Sequence, residues 1–90
     1  MSLTAKEKRE FKQKAHHLKP IVQIGDKGLS ETVMAEIKRA LYDHELIKVK
    51  VSGLERDKYQ EMIDTICEKT TATFINKIGH TVILYRKSDK

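Results

Sequence analysis

The 90-residue sequence predicts a compact α/β domain with its elements in the order αβαβαββ. Three observations carry that prediction. Strand-type residues Ile21-Val22-Gln23-Ile24 run through Gly25-Asp26-Lys27-Gly28 into a helix start at Leu29-Ser30. The strict alternation Ile47-Lys48-Val49-Lys50-Val51 then reads as a half-buried strand. Two apolar runs flank Gly79-His80 at the spacing of a tight hairpin.

The first helix is announced by Thr4-Ala5-Lys6-Glu7, a capping box with Thr4 as N-cap and Glu7 at the third helical position. Phe11, Ala15 and Leu18 recur along one stripe, and the helix is expected to end at Lys19-Pro20. Lys8, Lys12 and Lys19 project just to one side of this stripe, with Arg9 beyond them. On an isolated helix such residues form an ordinary solvated face. His16 and His17 fall in the last turn, where positive charge suits the helix dipole. Neighbours in sequence cannot face one metal from a regular helix, so no metal site is expected there.

A strand over residues 21–24 leads into the Gly-x-x-Gly turn. Glycine accepts positive φ, and without a Cβ it lets a ligand approach the backbone. Ser30 can cap the next helix, with Leu29 and Met34 spaced as a hydrophobic staple. The N–H groups at such a helix start favour an anion, most often a phosphate. Taken alone, the same glycines also describe a strand-to-helix connection that binds nothing. Val33, Met34, Ile37, Ala40 and Leu41 mark a second amphipathic helix from Ser30 to about His44, with Lys38 and Arg39 on other faces.

The strand at 47–51 places both of its lysines opposite its valines, and it completes a βαβ unit expected to pair in parallel. Gly53 breaks it. A third helix over about 56–69 buries Tyr59, Ile63, Ile66 and Cys67 and exposes Glu55, Asp57, Glu61, Asp64 and Glu68. The strands at 72–78 and 81–86 close the chain around a turn of the II′ kind. A regular register puts Phe74, Ile83 and Tyr85 on one face and Ile75, Val82 and Leu84 on the other. Phe11, Leu18, Ile37, Leu41, Val49, Ile63, Ile66 and Leu84 are the expected core.

A chain of this length makes one domain, 1–90, burying roughly 60–65% of its unfolded surface, with no room for a deep enclosed active site. The longest strongly apolar run, Val82-Ile83-Leu84-Tyr85, is far short of a membrane span. The first residues lack the apolar stretch of a secretion signal. A lone cysteine cannot form an internal disulfide and suits a reducing compartment, so a soluble cytoplasmic protein is expected. The net charge of +5 is segregated: residues 1–20 hold six basic and two acidic side chains, 51–73 three and five, and 74–90 four and one. Basic ends around an acidic third quarter point to a polyanion-binding face.

Three phrases then read together: Ala15-His16-His17-Leu18-Lys19-Pro20 leading to the glycine turn, His44-Glu45-Leu46-Ile47-Lys48-Val49-Lys50-Val51, and Ile78-Gly79-His80-Thr81-Val82-Ile83-Leu84-Tyr85-Arg86. In this order, over roughly residues 6–87, the chain strongly resembles the YhbY-like bacterial proteins. These consist of a single CRM domain (chloroplast RNA splicing and ribosome maturation). The resemblance implies a mixed four-stranded sheet with three helices, similar to the C-terminal domain of bacterial translation initiation factor three. It implies an RNA-binding module acting on precursors of the large ribosomal subunit, with plant relatives built into group II intron splicing factors. It also likens Gly25, Asp26, Lys27 and Gly28 to the loop with which KH domains hold a nucleic-acid backbone. Asp26 departs from that pattern, because beside a phosphate an acid partly cancels Lys27.

The expected RNA-binding residues are therefore Gly25, Asp26, Lys27, Gly28, Lys8, Arg9, Lys12, Lys19 and Arg86, with ribosomal RNA as partner and the protein acting as a monomer. Few aromatics are free to stack, which favours recognition of backbone and shape. No catalytic residues, metal or cofactor are expected: no His–carboxylate–nucleophile spacing or Walker-type sequence is present, and Cys67 falls on a buried stripe. Two alternatives remain. A DNA-binding module lacks support from a helix-turn-helix, since a strand separates the first two helices. A protein adaptor on ribosomal particles would dock through the lysine-bearing strand or the acidic helix.

Overall fold

The computed structural model describes residues 3–25, 28–52 and 56–87, Arg56 by its backbone alone. Helix α1 (Ala5–Ala15) begins as its sequence dictates. The Glu7 N–H donates to Thr4 Oγ1 and the Thr4 N–H to Glu7 Oε1, both at 3.1 Å. It ends four residues before the expected Lys19. The N–H groups of His16, His17 and Leu18 each bond the carbonyl three residues back, at 3.2, 3.3 and 3.0 Å. Bonds of that span tighten and stop an α-helix, and Pro20 prevents it from resuming. Leu18 consequently leaves the buried stripe and is 37% exposed.

Strand β1 (Val22–Ile24) is one residue shorter than expected, although the Ile21 N–H still donates to the Lys48 carbonyl at 3.1 Å. Helix α2 (Glu31–His44) is capped by Ser30, whose Oγ accepts the Val33 N–H at 3.1 Å. Leu29 and Met34 both pack on the core, as a staple requires. Strand β2 (Leu46–Val51), helix α3 (Arg56–Thr70), and strands β3 (Thr73–Ile78) and β4 (Thr81–Tyr85) follow. Gly79 has φ +59° whereas His80 stays out of positive φ, the pattern of a II′ turn. Gly53 and Glu55 lie outside the described residues.

The four strands form one mixed sheet in the order β1-β2-β4-β3. β1 runs parallel to β2, and β4 is antiparallel to both β2 and β3. One face carries Val22, Ile24, Ile47, Val49, Val51, Val82 and Leu84, covered by Ile37, Ala40 and Leu41 of α2 and Tyr59, Met62, Ile63 and Ile66 of α3. The other face carries Leu46, Ile75, Ile83 and Tyr85 beneath Ala15 and Phe11 of α1. The acidic α3 and the basic α1 therefore lie on opposite sides of the sheet.

The hairpin departs from a regular register. Pairing runs Ile78 with Thr81, Lys77 with Val82 and Asn76 with Ile83, then jumps to Phe74 with Leu84. The extra residue is Ile75. A bulge of this kind flips every side chain beyond it to the other face. Phe74 thus joins Leu84 on the α2/α3 side and Ile75 joins Ile83 under α1, the reverse of the expected sorting. Of the expected core, Ile37, Leu41, Val49, Ile63, Ile66 and Leu84 are buried, Phe11 is half-buried and Leu18 is exposed.

Candidate nucleic-acid interface

The glycine turn emerges where β1 and β2 end together. The Ile24 carbonyl accepts the Ser52 N–H at 2.9 Å, pinning the end of β1 to the chain just beyond β2. The Gly28 N–H then donates back to the Gly25 carbonyl at 2.9 Å, closing a four-residue turn. Asp26 and Lys27, which complete the expected loop, lie outside the described residues.

The two glycines are not equivalent. Gly28 has φ +70°, a left-handed conformation that disfavours a Cβ. Gly25 has no such constraint, and a Cβ added there would meet nothing within 4 Å. Its bareness keeps open the solvent side of the turn. The helix start behind it is partly self-satisfied: Gly28 spends its N–H on the turn, and Ser30 takes that of Val33. The Glu31 and Thr32 N–H groups head the helix with no intrahelical acceptor of their own. The Glu31 carboxylate shares that first turn.

Lys8, Arg9 and Lys12 stand exposed on α1, and Lys19 is exposed in the connection to β1. Arg86 follows β4 and is half-exposed, its N–H donating to the Glu45 carbonyl at 2.9 Å. It shares a surface depression with Leu3, Glu7 and Thr73. Leu46 pairs with Tyr85 at that end of the sheet, and the glycine turn lies beyond the other end of β2. Five residue steps of strand separate the two ends, roughly 17 Å. The structure does not bring Arg86 to the turn.

Other polar groups occupy the positions nearer the turn. The row Gln23–Lys50–Thr81–Ile78 crosses the α1 side of the sheet, with Gln23, Lys50 and Ile78 exposed. Lys48, half-buried, is one row further in. The alternation in β2 already placed both lysines on this face. The signal absent from the sequence was how much of the face α1 leaves open. At the hairpin tip the His80 carbonyl accepts the Val51 N–H at 2.7 Å, and the Tyr59 hydroxyl lies 2.8 Å from His80 Nδ1. Lys77 Nζ sits 4.5 Å from the Tyr59 ring centroid, so the tip beside the turn has its own cation.

Two aromatics are committed to packing. Phe11 stacks on Tyr85 with centroids 4.1 Å apart, and Lys14 Nζ lies 5.7 Å from the Phe11 centroid. Burial, then the nearby Glu45 and Glu7, push the Tyr85 phenol up. The Cys67 thiol is also pushed up, by burial first and by Asp64 second, the opposite of an activated nucleophile. Among the described residues no group of three or more His, Cys, Asp or Glu side chains could hold a metal. No helix among them is long and apolar enough to cross a membrane.

The CRS1 / YhbY (CRM) domain profile matches residues 3–86. An RNA-binding protein of Haemophilus influenzae is 47% identical over 89 residues, spanning 99% of this chain and 90% of the relative. A probable RNA-binding protein of Pseudomonas aeruginosa is 43% identical over 90 residues, spanning all of this chain and 86% of the relative. The solution structure of a hypothetical protein from Staphylococcus aureus superimposes with a TM-score of 0.86 at 36% identity, covering 99% of this chain and 93% of the other.

Proposed function

Since the chain belongs to the CRS1 / YhbY (CRM) domain family, we propose that it is a non-catalytic RNA-binding protein acting as one cytoplasmic domain. Its target in this reading is ribosomal RNA in precursors of the large subunit. The observation that carries the reading is the two-sided charge of the fold. The cations of α1 and of β2 share one side of the sheet, and Glu61 and Asp64 are exposed on the helix that covers the other. An RNA backbone on the α1 side meets cations and avoids the acidic helix.

Lys8, Arg9, Lys12 and Lys19 supply charge along this side. Lys27 contacts a phosphate at the turn, where Asp26 moderates it. Gly25 and Gly28 admit that phosphate towards the Glu31 and Thr32 N–H groups. Arg86, at the far end of the sheet, serves as a separate anchor for a longer strand. The ribosomal target is supported by the resemblance to proteins of ribosome maturation, and the monomer by a size and core that need no partner.

The test is crosslinking in cells followed by sequencing of the bound RNA, beside a pull-down from nuclease-treated lysate. Enrichment of large-subunit precursor RNA, with partners lost on nuclease treatment, supports the proposal. Partners that persist after nuclease, with negligible affinity for RNA, would make the protein an adaptor.

A further inference from the structure

Two large apolar side chains remain in solvent where α1 gives way to β1. Leu18 is 37% exposed and Ile21 49%. They are not scattered, because both line a single groove of about 380 Å³ with Leu46 at the start of β2. Lys14, Lys19 and Lys48 stand around the same groove, and no carboxylate lines it. Apolar walls within a rim of three lysines and His44 are more than the end of a helix requires. Exposed apolar surface bordered by polar groups marks a binding site, and the volume falls within the range of small-molecule sites.

The groove also connects with the glycine turn. From Ile21 the chain runs extended to Gly25, four residues or about 13 Å. β1 is an edge strand, paired with β2 on one side and with no other strand among the described residues. Lys19, Gln23 and Lys50 line this stretch. A chain of phosphates leaving the groove would pass them on its way to the turn.

We infer that this groove seats one unpaired base of a single-stranded RNA, with the flanking phosphates on Lys14, Lys19 and Lys48. The inference rests on the RNA-binding reading above and adds to it the place where a base is held. A nucleotide fits the chemistry because its base has apolar faces and its flanks are anionic. An apolar peptide would gain nothing from three ammonium groups. A duplex keeps its bases stacked inside and could not present one, so the occupant is a single strand. His44 also lines the groove, so the base is held by burial against aliphatic side chains and by the imidazole ring as a stacking surface.

The test compares a single-stranded RNA with a strand of equal length carrying abasic sugars, by fluorescence anisotropy at several salt concentrations. The parent protein is expected to prefer the base-bearing strand by about ten-fold, within the range found for holding one base. The double variant Leu18→Gln, Ile21→Gln should lose that preference without altering the salt slope. Lys14→Ala or Lys48→Ala should lower the slope by about 0.7 each. A photoreactive thiouridine strand on the parent protein, expected to crosslink within residues 14–21 or 44–48, needs no variant to fold.

Crosslinks confined elsewhere, or a preference intact in the double variant, would overturn the groove while leaving RNA binding standing. Equal affinity of the parent for both strands would do the same. A parent that binds neither strand would overturn the RNA-binding reading itself. A parent dimer converted to monomer by the double variant, with RNA affinity unchanged, would make the groove an interface between copies.

Discussion

The two glycines of the turn make different demands on the chain. Gly28 sits at φ +70°, so Gly28→Ala should destabilise by about 1 kcal/mol through backbone strain alone. Gly25 has an open Cβ direction and ordinary φ, so Gly25→Ala should cost less than about 0.5 kcal/mol. A bulky residue at position 25 should therefore weaken RNA binding with little loss of stability. Urea unfolding and anisotropy on the same variants separate the two effects. Cys67 makes a second prediction at this scale. Burial raises its thiol in the folded chain, so alkylation at mildly alkaline pH should be slower in the native protein than in urea. The same shift gives the sign of its linkage to folding. The folded state holds its proton longer, so its contribution to stability is intact below the ordinary thiol range and declines as pH rises through it.

Most of each element could be read from particular residues, since caps and periodicities are local physics. Thr4 with Glu7 and Ser30 with Val33 behave as their spacing requires. The alternation in β2 is the burial pattern of the strand. What escaped the sequence depended on single insertions and on tertiary coverage. Nothing in Thr73-Phe74-Ile75-Asn76 says that Ile75 will bulge, because both faces offer it an apolar home. Leu18 keeps helical spacing with Ala15, yet the tightened turn after Ala15 takes it out of the core. For the candidate site, the place of the turn between β1 and α2 and the exposure of the α1 lysines were legible, whereas Lys50 becomes a candidate because α1 leaves its end of the face exposed. Truncation checks this division of roles. Leu41→Ala should cost about 2–5 kcal/mol, and Leu18→Ala well under half of that. Thr4→Ala should cost about 1 kcal/mol by removing the cap, and Lys8→Ala and Lys12→Ala almost nothing.

For the whole molecule, charge segregation is the feature that relates fold to function. A sheet with helices on both sides keeps the acidic α3 away from the basic α1, so the long-range field is polarised even though the net charge is modest. Binding should weaken steeply with salt, and each phosphate-contacting lysine replaced by alanine should reduce the single-strand slope by about 0.7 across many RNAs alike. A slope unchanged by Lys8→Ala, Lys12→Ala and Lys19→Ala together would remove α1 from the interface.

The central claim is that RNA phosphate sits at the glycine turn, on a defined side of the molecule. Asp26→Lys and Glu61→Lys test it most directly, because each adds the same charge to the same protein. RNA affinity of the two variants, measured at one salt concentration, should separate clearly. Asp26→Lys should tighten binding by about five-fold or more, on the order of 1 kcal/mol, while Glu61→Lys on the acidic α3 changes it little. Equal gains from the two would mean that net charge alone attracts RNA, and would contradict a site at the turn.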